Sequence, residues 1–393
     1  MSDRTSWGPC GPRQSGELGP ERPPAEREYW GTMRPYPIIS ADSHFTEPAD
    51  LWLNYIEPAY RERAPHVEVQ AHTDVIVCDG APMFPVGVMH GVRWKGGETP
   101  TDGRYADIPA SGWQVEPRIA EIESDGVFAE VLYPTVAMRF FTIEDATFAA
   151  ACNRAYNTFA ADFCKERPDR FKAVAVIALD DLDQGIEELH RAHALGLVGA
   201  MIAAVPLGTL PYHDAHYDPF WAAAARLQMP VSLHVATPRR LEENRTATQT
   251  FFGYQVVQHM IIGMIYAGVL DRHPDLQLVS VENDAGWAAH LIERMDYVQA
   301  KARARNLLTD QHNEQVPSHY WRNNIHYTFM RDRTAILARD IIGVDRLLWS
   351  SDFPHGDSTW PDSMKVIDEE LGDISTADQR AILHDNAARL YRF

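Results

Sequence analysis

Cysteine is scarce in this chain of 393 residues. The four cysteines, Cys10, Cys78, Cys152 and Cys164, form no CxxC pair. Disulfide frameworks belong to small secreted domains, and metal or redox sites made of cysteine use closely spaced pairs. We therefore expect free thiols in a reducing compartment.

Long apolar runs and basic clusters are also absent. No segment approaches the ~18 uninterrupted apolar residues of a transmembrane helix, and the first residues lack the apolar core of a signal peptide. The formal net charge is −19 and the isoelectric point is near 5.3, which disfavours binding to nucleic acid or to anionic lipid. These absences predict a cytoplasmic enzyme that acts on a small molecule, with neither nucleic acid nor membrane as a partner.

Apolar residues are plentiful: they make up 45% of the chain, with fifteen Phe, fifteen Tyr and ten Trp available for a large core. The first segment, residues 1–34, differs, because Pro9, Pro12, Pro20 and other prolines accompany many Gly, Ser and Arg residues there. Such a composition is typical of disorder. We predict a flexible tail over 1–34 and one catalytic domain over 35–393, since a single barrel with insertions reaches this length.

Short runs rich in Val, Ile and Leu alternate with longer amphipathic stretches along the predicted domain. This alternation is typical of βα units around a parallel sheet. Near-continuous apolar strands such as VAVIAL suit a sheet that helices cover on one side. We predict an α/β fold, a TIM-type (β/α)8 barrel. Its expected strands cover 36–43, 127–135, 171–179, 198–205, 230–235, 276–282, 325–330 and 346–351.

One stretch interrupts this rhythm between the first two expected strands. Residues 46–115 contain VEVQ, DVIVCD and GVRW, separated by Gly and Pro turns. A connection of this length is unusual unless it shapes a site. We predict an insertion with a small antiparallel sheet that lies over the mouth of the barrel. At the other end of the chain, residues 375–391 should form a helix capped by Ser375.

Polar side chains stand at the ends of three expected strands. Asp42 and His44 end the first strand, and alternate residues of a strand point the same way, so both can reach one ion. His234 ends the fifth strand, and Asp352 follows the eighth. Catalytic groups of TIM barrels gather at the C-terminal ends of the strands. Two imidazoles and two carboxylates on one face therefore predict a site for a divalent metal.

These residues lie in motifs that extend from about residue 37 to the C-terminus. The motifs are ADSHFTEPADLW, VSLHVA, VSVENDAGWAAHLIERMD, WSSDFPHGDSTWP and ILHDNAARLY. In them the chain resembles amidohydrolase family 2 of the amidohydrolase superfamily, the branch that contains aminocarboxymuconate semialdehyde decarboxylase and resorcylate decarboxylases. At the position of Asp42, many members of that family have His or Glu. The resemblance implies a metal-dependent barrel enzyme whose ligands are Asp42, His44, His234 and Asp352.

The sixth strand departs from the decarboxylase pattern. In the decarboxylases it ends in a catalytic His followed by glycines, whereas this chain has Glu282 followed by Asn283 and Asp284. A glutamate can act as acid, base or metal ligand, but it cannot supply a cationic imidazole. Glu282 and Asp352 are therefore the candidate catalytic residues.

A further candidate ligand is His259, in the helical run after the fifth strand. If it faces the mouth, the chain offers three imidazoles and three carboxylates, enough for two ions. We expect one or two divalent ions of Zn, Mn or Fe. The full set of candidate ligands is Asp42, His44, His234, His259, Glu282 and Asp352.

Two enzymatic functions follow from this set. The first is a hydrolase or non-oxidative decarboxylase that acts on a small carboxylated or ester-like substrate through a metal-activated water or carbonyl. The second is an oxygenase in which two irons activate dioxygen, since mixed imidazole and carboxylate ligation suits iron. For the second, the chain is similar to a small branch of non-heme diiron monooxygenases in platensimycin and platencin biosynthesis, and its substrate would be a hydrophobic, diterpenoid-like acid or thioester. A non-catalytic binding protein is less well supported, because every expected strand-end ligand is present.

The substrate should bind at the mouth of the barrel. An arginine after the fifth strand suits a carboxylate or phosphate, aromatic side chains suit an apolar wall, and a histidine just after the eighth strand suits a partner of a metal ligand. Barrel enzymes of this kind often dimerise, so a homodimer is expected by analogy. The predicted substrate-contacting residues are Arg239, Phe252, Tyr254, Tyr327 and His355.

Overall fold

The computed structural model describes residues 34–71, 73–90, 103–206, 208–235, 237, 247–305 and 311–393. The predicted tail lies outside these residues except for Arg34. The remaining residues form one unit, from Tyr36 to Phe393. No helix in the part of the chain that the structure describes is long and apolar enough to cross a membrane.

Parallel strands form a barrel, and a separate sheet is antiparallel. The described residues contain eleven strands: β1 Ile39–His44, β2 His66–Val69, β3 Asp74–Cys78, β4 Ala81–Pro85, β5 Ala129–Tyr133, β6 Phe171–Val176, β7 Gly199–Ile202, β8 Val231–His234, β9 Leu278–Val281, β10 Ile325–Phe329 and β11 Leu347–Trp349. Neighbours around the barrel follow chain order, β1-β5-β6-β7-β8-β9-β10-β11, and the antiparallel sheet is β2-β3-β4.

Helices alternate with the barrel strands, and polar caps fix where several of them begin. The Asp145 side chain accepts from Phe148 N at the start of one helix, and Asp181 does the same for Gln184 N at the next. A left-handed Gly196 ends the latter. The helices are α1 Leu51–Tyr55, α2 Val115–Ser124, α3 Ala146–Glu166, α4 Leu182–Leu195, α5 Asp218–Leu227, α6 Ala247–Tyr266, α7 Val269–Arg272, α8 Gly286–Arg305, α9 Pro317–Asn324, α10 Arg333–Leu337, α11 Arg339–Ile342, α12 Ser363–Leu371, α13 Thr376–Arg380 and α14 Asn386–Tyr391.

The predicted TIM-type barrel is confirmed. Each of the eight expected strands overlaps one strand of the barrel, and only the strand ends differ. The predicted C-terminal helix is present as α13 and α14 with a π-helical segment, Ala381–Asp385, between them. Ser375 caps it as expected, since its side chain accepts from Asp378 N at 3.1 Å.

The barrel closes between its first and last strands. Asp352 N donates to the carbonyl of Asp42 at 3.0 Å, and His44 N donates to the carbonyl of Phe353 at 2.7 Å. These bonds join β1 to the segment that follows β11. Because the bonded residues include three candidate ligands, the closure of the barrel also sets the separation between those ligands.

The insertion contains an antiparallel sheet, as predicted, but its third strand differs from the expected one. β2 and β3 contain most of VEVQ and DVIVCD, and the third strand is β4, which pairs with β3. GVRW, at 91–94, lies outside the described residues. Pro82 and Pro85 made β4 a poor strand in the sequence, but an edge strand tolerates proline because one of its sides needs no partner.

The insertion packs against the loop that follows β1. The Tyr105 hydroxyl donates to the carbonyl of Glu47 at 2.6 Å, and Thr46 N donates to the carbonyl of Gly112 at 3.0 Å. A glycine is required at 112 because a Cβ there would lie 2.7 Å from the Thr46 Cβ. Part of the insertion therefore lies beside the strand end that carries two candidate ligands.

A tyrosine of the C-terminal helix fills part of the barrel interior. The Tyr391 hydroxyl lies 3.2 Å from that of Tyr133 on β5, which lies 2.9 Å from the Ser232 hydroxyl on β8. The Asn386 side chain anchors the helix by donating to the carbonyl of Leu347 at 2.9 Å. The helix thereby joins strands from both halves of the barrel.

The cysteines of the described residues match the expectation of free thiols. Cys78, Cys152 and Cys164 form no disulfide, and Cys10 lies outside the described residues. Burial raises the pKa of the Cys164 thiol to about 12. A thiol with so high a pKa is a poor nucleophile at neutral pH, because the thiolate is the reactive form.

A buried aspartate joins the end of α2 to the start of α12. Asp125 accepts from Ser363 N at 2.9 Å through one oxygen and from the Ser363 hydroxyl through the other. Burial raises the pKa of Asp125 to about 7 even though these bonds favour its ionised form. The folded protein therefore holds a proton on this carboxyl at a pH where the unfolded chain has released it.

Replacing Asp125 should change how stability depends on pH. Between the unfolded pKa near 3.8 and the folded pKa of about 7, the native state binds more protons than the unfolded state, so wild-type stability falls as pH rises. Asp125→Asn keeps acceptor and donor groups but cannot ionise. From pH 5 to pH 8, urea unfolding should show the variant losing less free energy of unfolding than the wild type, by roughly 2–3 kcal/mol, since one pKa unit corresponds to ~1.4 kcal/mol.

The control for this measurement is Asp107→Asn, which changes an exposed aspartate and should leave the pH profile as it is in the wild type. Parallel profiles for the wild type and Asp125→Asn would contradict the raised pKa of Asp125.

Candidate metal centre

The structure brings four predicted ligands together at the C-terminal end of the barrel. Asp42 and His44 lie at the end of β1, His234 is the last residue of β8, and Asp352 follows β11. Ligand atoms of Asp42, His44 and His234 all lie within 4.8 Å of one another, and so do those of His44, Asp352 and His355. One imidazole, that of His44, belongs to both groups.

The distances between these side chains are short. His44 Nε2 lies 3.4 Å from Asp42 Oδ1 and 3.2 Å from Asp352 Oδ1. It also lies 3.4 Å from His234 Nε2, which is 3.8 Å from Asp42 Oδ1. The alternation of a strand explains the first pair, because Asp42 and His44 are two residues apart on β1. All four side chains are at most 1% exposed.

The carboxylates of this cluster fit a bound cation. All four oxygens of Asp42 and Asp352 are buried, and none accepts a hydrogen bond from the described residues. Buried charges are stable in proteins only when they are paired or coordinate a metal. Carboxylate oxygens and imidazole nitrogens are common ligands of divalent ions. The donor set and its unbonded oxygens therefore match a divalent metal.

The imidazoles fit the same interpretation. His44 Nδ1 donates to the carbonyl of Pro134 at 2.7 Å, which leaves the lone pair of Nε2 directed at the cluster. Burial lowers the pKa of His44, but the charges of Asp352 and Asp42 outweigh it and raise that pKa well above the usual value. Burial and the charge of His44 lower the pKa of His234 well below the usual value. A proton on His44 thus supplies positive charge that a metal ion would otherwise supply.

Strained backbone marks two strand ends of the site. Glu282, Asp284 and Asp352 have φ values of +51°, +53° and +54°. This left-handed region is rarely adopted by residues other than glycine, and such strain is concentrated at functional sites. The conformation of Asp352 accompanies a carboxylate that lies within the cluster.

Glu282, the residue that departs from the decarboxylase pattern, lies at the edge of the cluster. Its Oε2 is 3.6 Å from His234 Nδ1, and its backbone N donates to the Thr328 hydroxyl at 2.9 Å. Burial raises the pKa of Glu282 well above its usual value, and the charges of Asp352 and Asp42 raise it further. Its side chain is 23% exposed, whereas those of the four ligands are at most 1% exposed. Glu282 is therefore more accessible to a substrate than the ligands are.

His355 lies against two ligands of the cluster. Its Nδ1 is 3.2 Å from Asp352 Oδ1, and its Nε2 is 2.9 Å from the Thr135 hydroxyl. Its ring centre is 4.0 Å from that of His44. The side chain is 16% exposed, which leaves it accessible at the rim of the site. These contacts fit the predicted role of a partner of a metal ligand.

Two predicted residues do not join the cluster. Tyr327 packs against Trp287 and Trp321 of the outer helices, because it alternates on β10 with Thr328, whose hydroxyl accepts from Glu282 N. The predicted substrate contact of Tyr327 is therefore corrected. His259 is exposed on α6 and belongs to neither group of candidate ligand atoms found among the described residues, since its helical phase turns it outward.

Three other predicted substrate contacts cannot be placed. Arg239 lies outside the described residues. Phe252 and Tyr254 belong to α6, but their side chains also lie outside what the structure describes. These residues stay predictions.

Sequence reasoning missed Arg118, which holds the ligand-bearing segments in place. Its guanidinium forms a bidentate pair with Glu130 on β5, at 2.6 and 3.0 Å, and both side chains are fully buried. Its Nη1 donates to the carbonyl of His44 at 2.9 Å, and its Nη2 lies 3.4 Å from the carbonyl of Phe353. The available signal was an arginine on the apolar face of α2, three residues after Val115.

Glu47 is a second functional candidate that the sequence did not indicate. Its carboxylate accepts from the backbone N of Thr135, Val136 and Ala137, at 2.9 to 3.1 Å. Burial raises the pKa of Glu47 to about 7. Because Thr135 contacts His355, Glu47 fixes the loop that supports this histidine.

Arg118→Met should weaken metal binding without touching a ligand. Removing the guanidinium frees the carbonyls of His44 and Phe353, and loss of such supporting contacts reduces metal affinity roughly tenfold or more. Isothermal titration with Mn²⁺ would measure the change. Because the single variant leaves Glu130 as an unpaired buried charge, which is strongly destabilising, the double variant Arg118→Met/Glu130→Gln is the matched control. A folded double variant with wild-type Mn²⁺ affinity would contradict the positioning role.

Comparisons with known proteins agree with the barrel fold. A protein-family model described as Amidohydrolase (Amidohydro_2) matches residues 69–393. The gamma-resorcylate decarboxylase of Rhizobium sp. (strain MTP-10005) is 29% identical over 276 residues, which cover 64% of this chain and 79% of that protein. The relative is a decarboxylase rather than an oxygenase.

Two solved structures share the fold. An amidohydrolase of Mycobacterium avium subsp. paratuberculosis K-10 superposes with a TM-score of 0.70 at 24% identity, over 91% of this chain and 99% of that chain. A dihydroxybenzoic acid decarboxylase of Polaromonas sp. JS666, with bound manganese and the inhibitor 2-nitroresorcinol, superposes with a TM-score of 0.62 at 20% identity, over 91% and 97%. None of these relatives supports the diiron monooxygenase alternative. The family match, on a barrel with imidazoles and carboxylates at its strand ends, shows that the chain belongs to the amidohydrolase family and is an enzyme of that superfamily.

Proposed function

We propose that this protein is a metal-dependent, non-oxidative decarboxylase of a small hydroxylated aromatic carboxylic acid. The observation that carries the proposal is the cluster of Asp42, His44, His234 and Asp352, whose buried carboxylate oxygens accept no hydrogen bond from the described part of the chain. The relatives supply the reaction class, because the gamma-resorcylate decarboxylase and the dihydroxybenzoic acid decarboxylase act on acids of this kind.

One divalent cation fits this cluster. Asp42 and Asp352 would hold it through oxygen, and His44 and His234 through Nε2. Manganese is the first candidate, because the Polaromonas decarboxylase contains it and carboxylate ligation suits it. When bound, the ion supplies a Lewis acid that binds the substrate oxygens and stabilises negative charge as it develops.

The reaction requires a proton at the ring carbon that loses the carboxylate. Glu282 is placed to donate it, because its side chain borders the cluster and is 23% exposed, whereas that of Asp352 is 1% exposed. The carboxylic acid of Glu282 gives its proton to the ring carbon, which forms the new C–H bond. The C–C bond to the carboxylate then breaks, and the electron pair of that bond restores the aromatic ring. Carbon dioxide leaves, and Glu282 takes a proton from solvent. One proton is consumed for each carboxylate released, with no oxidant.

The substrate carboxylate contacts the rim of the site in this arrangement. His355 is the partly exposed imidazole there, held between Asp352 and the Thr135 hydroxyl. It can donate to a substrate oxygen by exchanging its contact with the Thr135 hydroxyl for one with the substrate. The glutamate at 282 thus provides the acid, and the histidine at 355 provides the imidazole that the glutamate cannot.

Activity should depend on manganese and not on oxygen. We expect the Mn²⁺-loaded protein to release CO₂ from 2,6-dihydroxybenzoate or from another member of a panel of hydroxylated benzoates. The rate should be the same in air and under argon, and Asp352→Asn should abolish it together with the bound metal. Oxygen consumption coupled to turnover, or no CO₂ release from any member of the panel, would overturn the proposal.

Glu282→Gln tests whether Glu282 is the proton donor or a metal ligand. The amide has nearly the same shape but cannot donate a carboxyl proton, and general acid catalysis contributes typically ~10²–10⁴-fold. We expect kcat to fall by about that factor, with KM and manganese content within a factor of about two of the wild type. Loss of manganese from the variant would instead make Glu282 a ligand. An unchanged kcat would remove it from proton transfer.

A further inference from the structure

A cleft of about 640 Å³ opens at the end of the barrel opposite the metal cluster. Its walls include Pro230 just before β8, Gln277 just before β9, and Arg346 just before β11. These positions are where the strands begin, whereas the cluster lies where they end. The cleft is therefore separate from the site described above.

Positive charge is concentrated in this cleft. Arg226 of α5, Arg346, and Arg389 and Arg392 of the C-terminal segment all line it. Asp275 is the acidic residue among its lining residues. In a chain with a net charge of −19, four arginines around one depression form a local positive field.

Arg346 is paired with the carboxylate of Asp345, at 2.7 and 3.0 Å, but the other three arginines form no ion pair with the residues that the structure describes. Arg389 Nη2 donates to the carbonyl of Asp345 and to the amide oxygen of Asn386, and Arg392 donates to backbone carbonyls, including that of Gln228 at 2.6 Å. These acceptors are neutral. Arg226 is exposed and forms no hydrogen bond or ion pair with the residues that the structure describes. The guanidinium groups of Arg226, Arg389 and Arg392 therefore keep their charge and several donors for an external anion.

A buried histidine also lines the cleft, and one of its ring nitrogens has no partner among the described residues. His326 is 2% exposed, and its Nε2 lies 3.2 Å from Arg346 Nη1. The same Nε2 lies 3.1 Å from Gln277 Oε1. Nδ1 is buried without a hydrogen-bond partner among the described residues. Burial and the charges of Arg346 and Arg389 lower the pKa of His326 well below its usual value, so the imidazole is neutral.

We propose that this cleft binds a small ligand that carries a phosphate or diphosphate group. Guanidinium groups match phosphate oxygens in geometry and charge, and the volume lies within the range of small-molecule sites. The acidic surface elsewhere disfavours a long polyanion such as nucleic acid. A small phosphorylated molecule therefore fits the cleft better than a polymer does.

Calorimetric titration of the metal-loaded protein with ADP, pyrophosphate and adenosine tests the proposal. We expect ADP and pyrophosphate to bind with one site per chain, and adenosine not to bind. Arg226→Glu/Arg389→Glu should weaken ADP binding roughly tenfold or more, because it replaces two positively charged donors with carboxylates that repel the phosphate groups. Arg61→Glu makes the same kind of charge change at an exposed site on the insertion and should leave affinity within a factor of about two.

Asp352→Asn distinguishes the cleft from the metal cluster. It should bind ADP as the wild type does, because Asp352 lies at the other end of the barrel. Three results would overturn the proposal: no binding of either phosphate compound at millimolar concentration, full affinity in a folded Arg226→Glu/Arg389→Glu variant, or loss of ADP binding in Asp352→Asn. This test is independent of whether the protein decarboxylates an aromatic acid.

Discussion

Buried negative charge is the constraint on which this structure depends. The carboxylates of Asp42 and Asp352 lie buried in the barrel, and their oxygens accept no hydrogen bond from the described residues, although the rings of His44 and His355 lie 3.2 Å from Asp352 Oδ1. Such charges are costly unless a cation is close. The imidazoles of His44 and His234 complete a set of ligands that can hold such a cation beside the carboxylates. The closing bonds between β1 and the segment after β11 then keep the two carboxylates at one place.

A second layer of buried charge fixes the loops around the cluster. Arg118 joins β5 to the backbone of the two ligand-bearing segments, and Glu47 binds the loop that supports His355. Both residues are fully buried, or nearly so. Each connects segments that are far apart in the chain, so the geometry of the ligands depends on several elements and not on β1 alone.

The barrel and the cluster are predictable from sequence because their signals are local. Each strand is a short apolar run, and each ligand stands at the end of such a run, so the rule that strand ends meet at one face brings the ligands together. Tyr327 and His259 could not be placed in the same way. Whether a residue faces the interior depends on strand register or helical phase, and neither is evident from one residue. Arg118 and Glu130 were missed because each is recognisable only through the other.

The two ends of the barrel differ in charge for a reason that the topology supplies. In a parallel barrel all strands begin at one face and end at the other, so residues before the strands and residues after them form separate sets. Here the residues at the ends of the strands include the carboxylates of Asp42, Glu282 and Asp352. The residues before the strands include Arg226 and Arg346. β10 extends between both faces: His326 near its start lies beside Arg346, and Thr328 near its end holds the backbone of Glu282. A cation at one end and an anion at the other are thus the ligands that the charge distribution favours, and a single strand contacts both places.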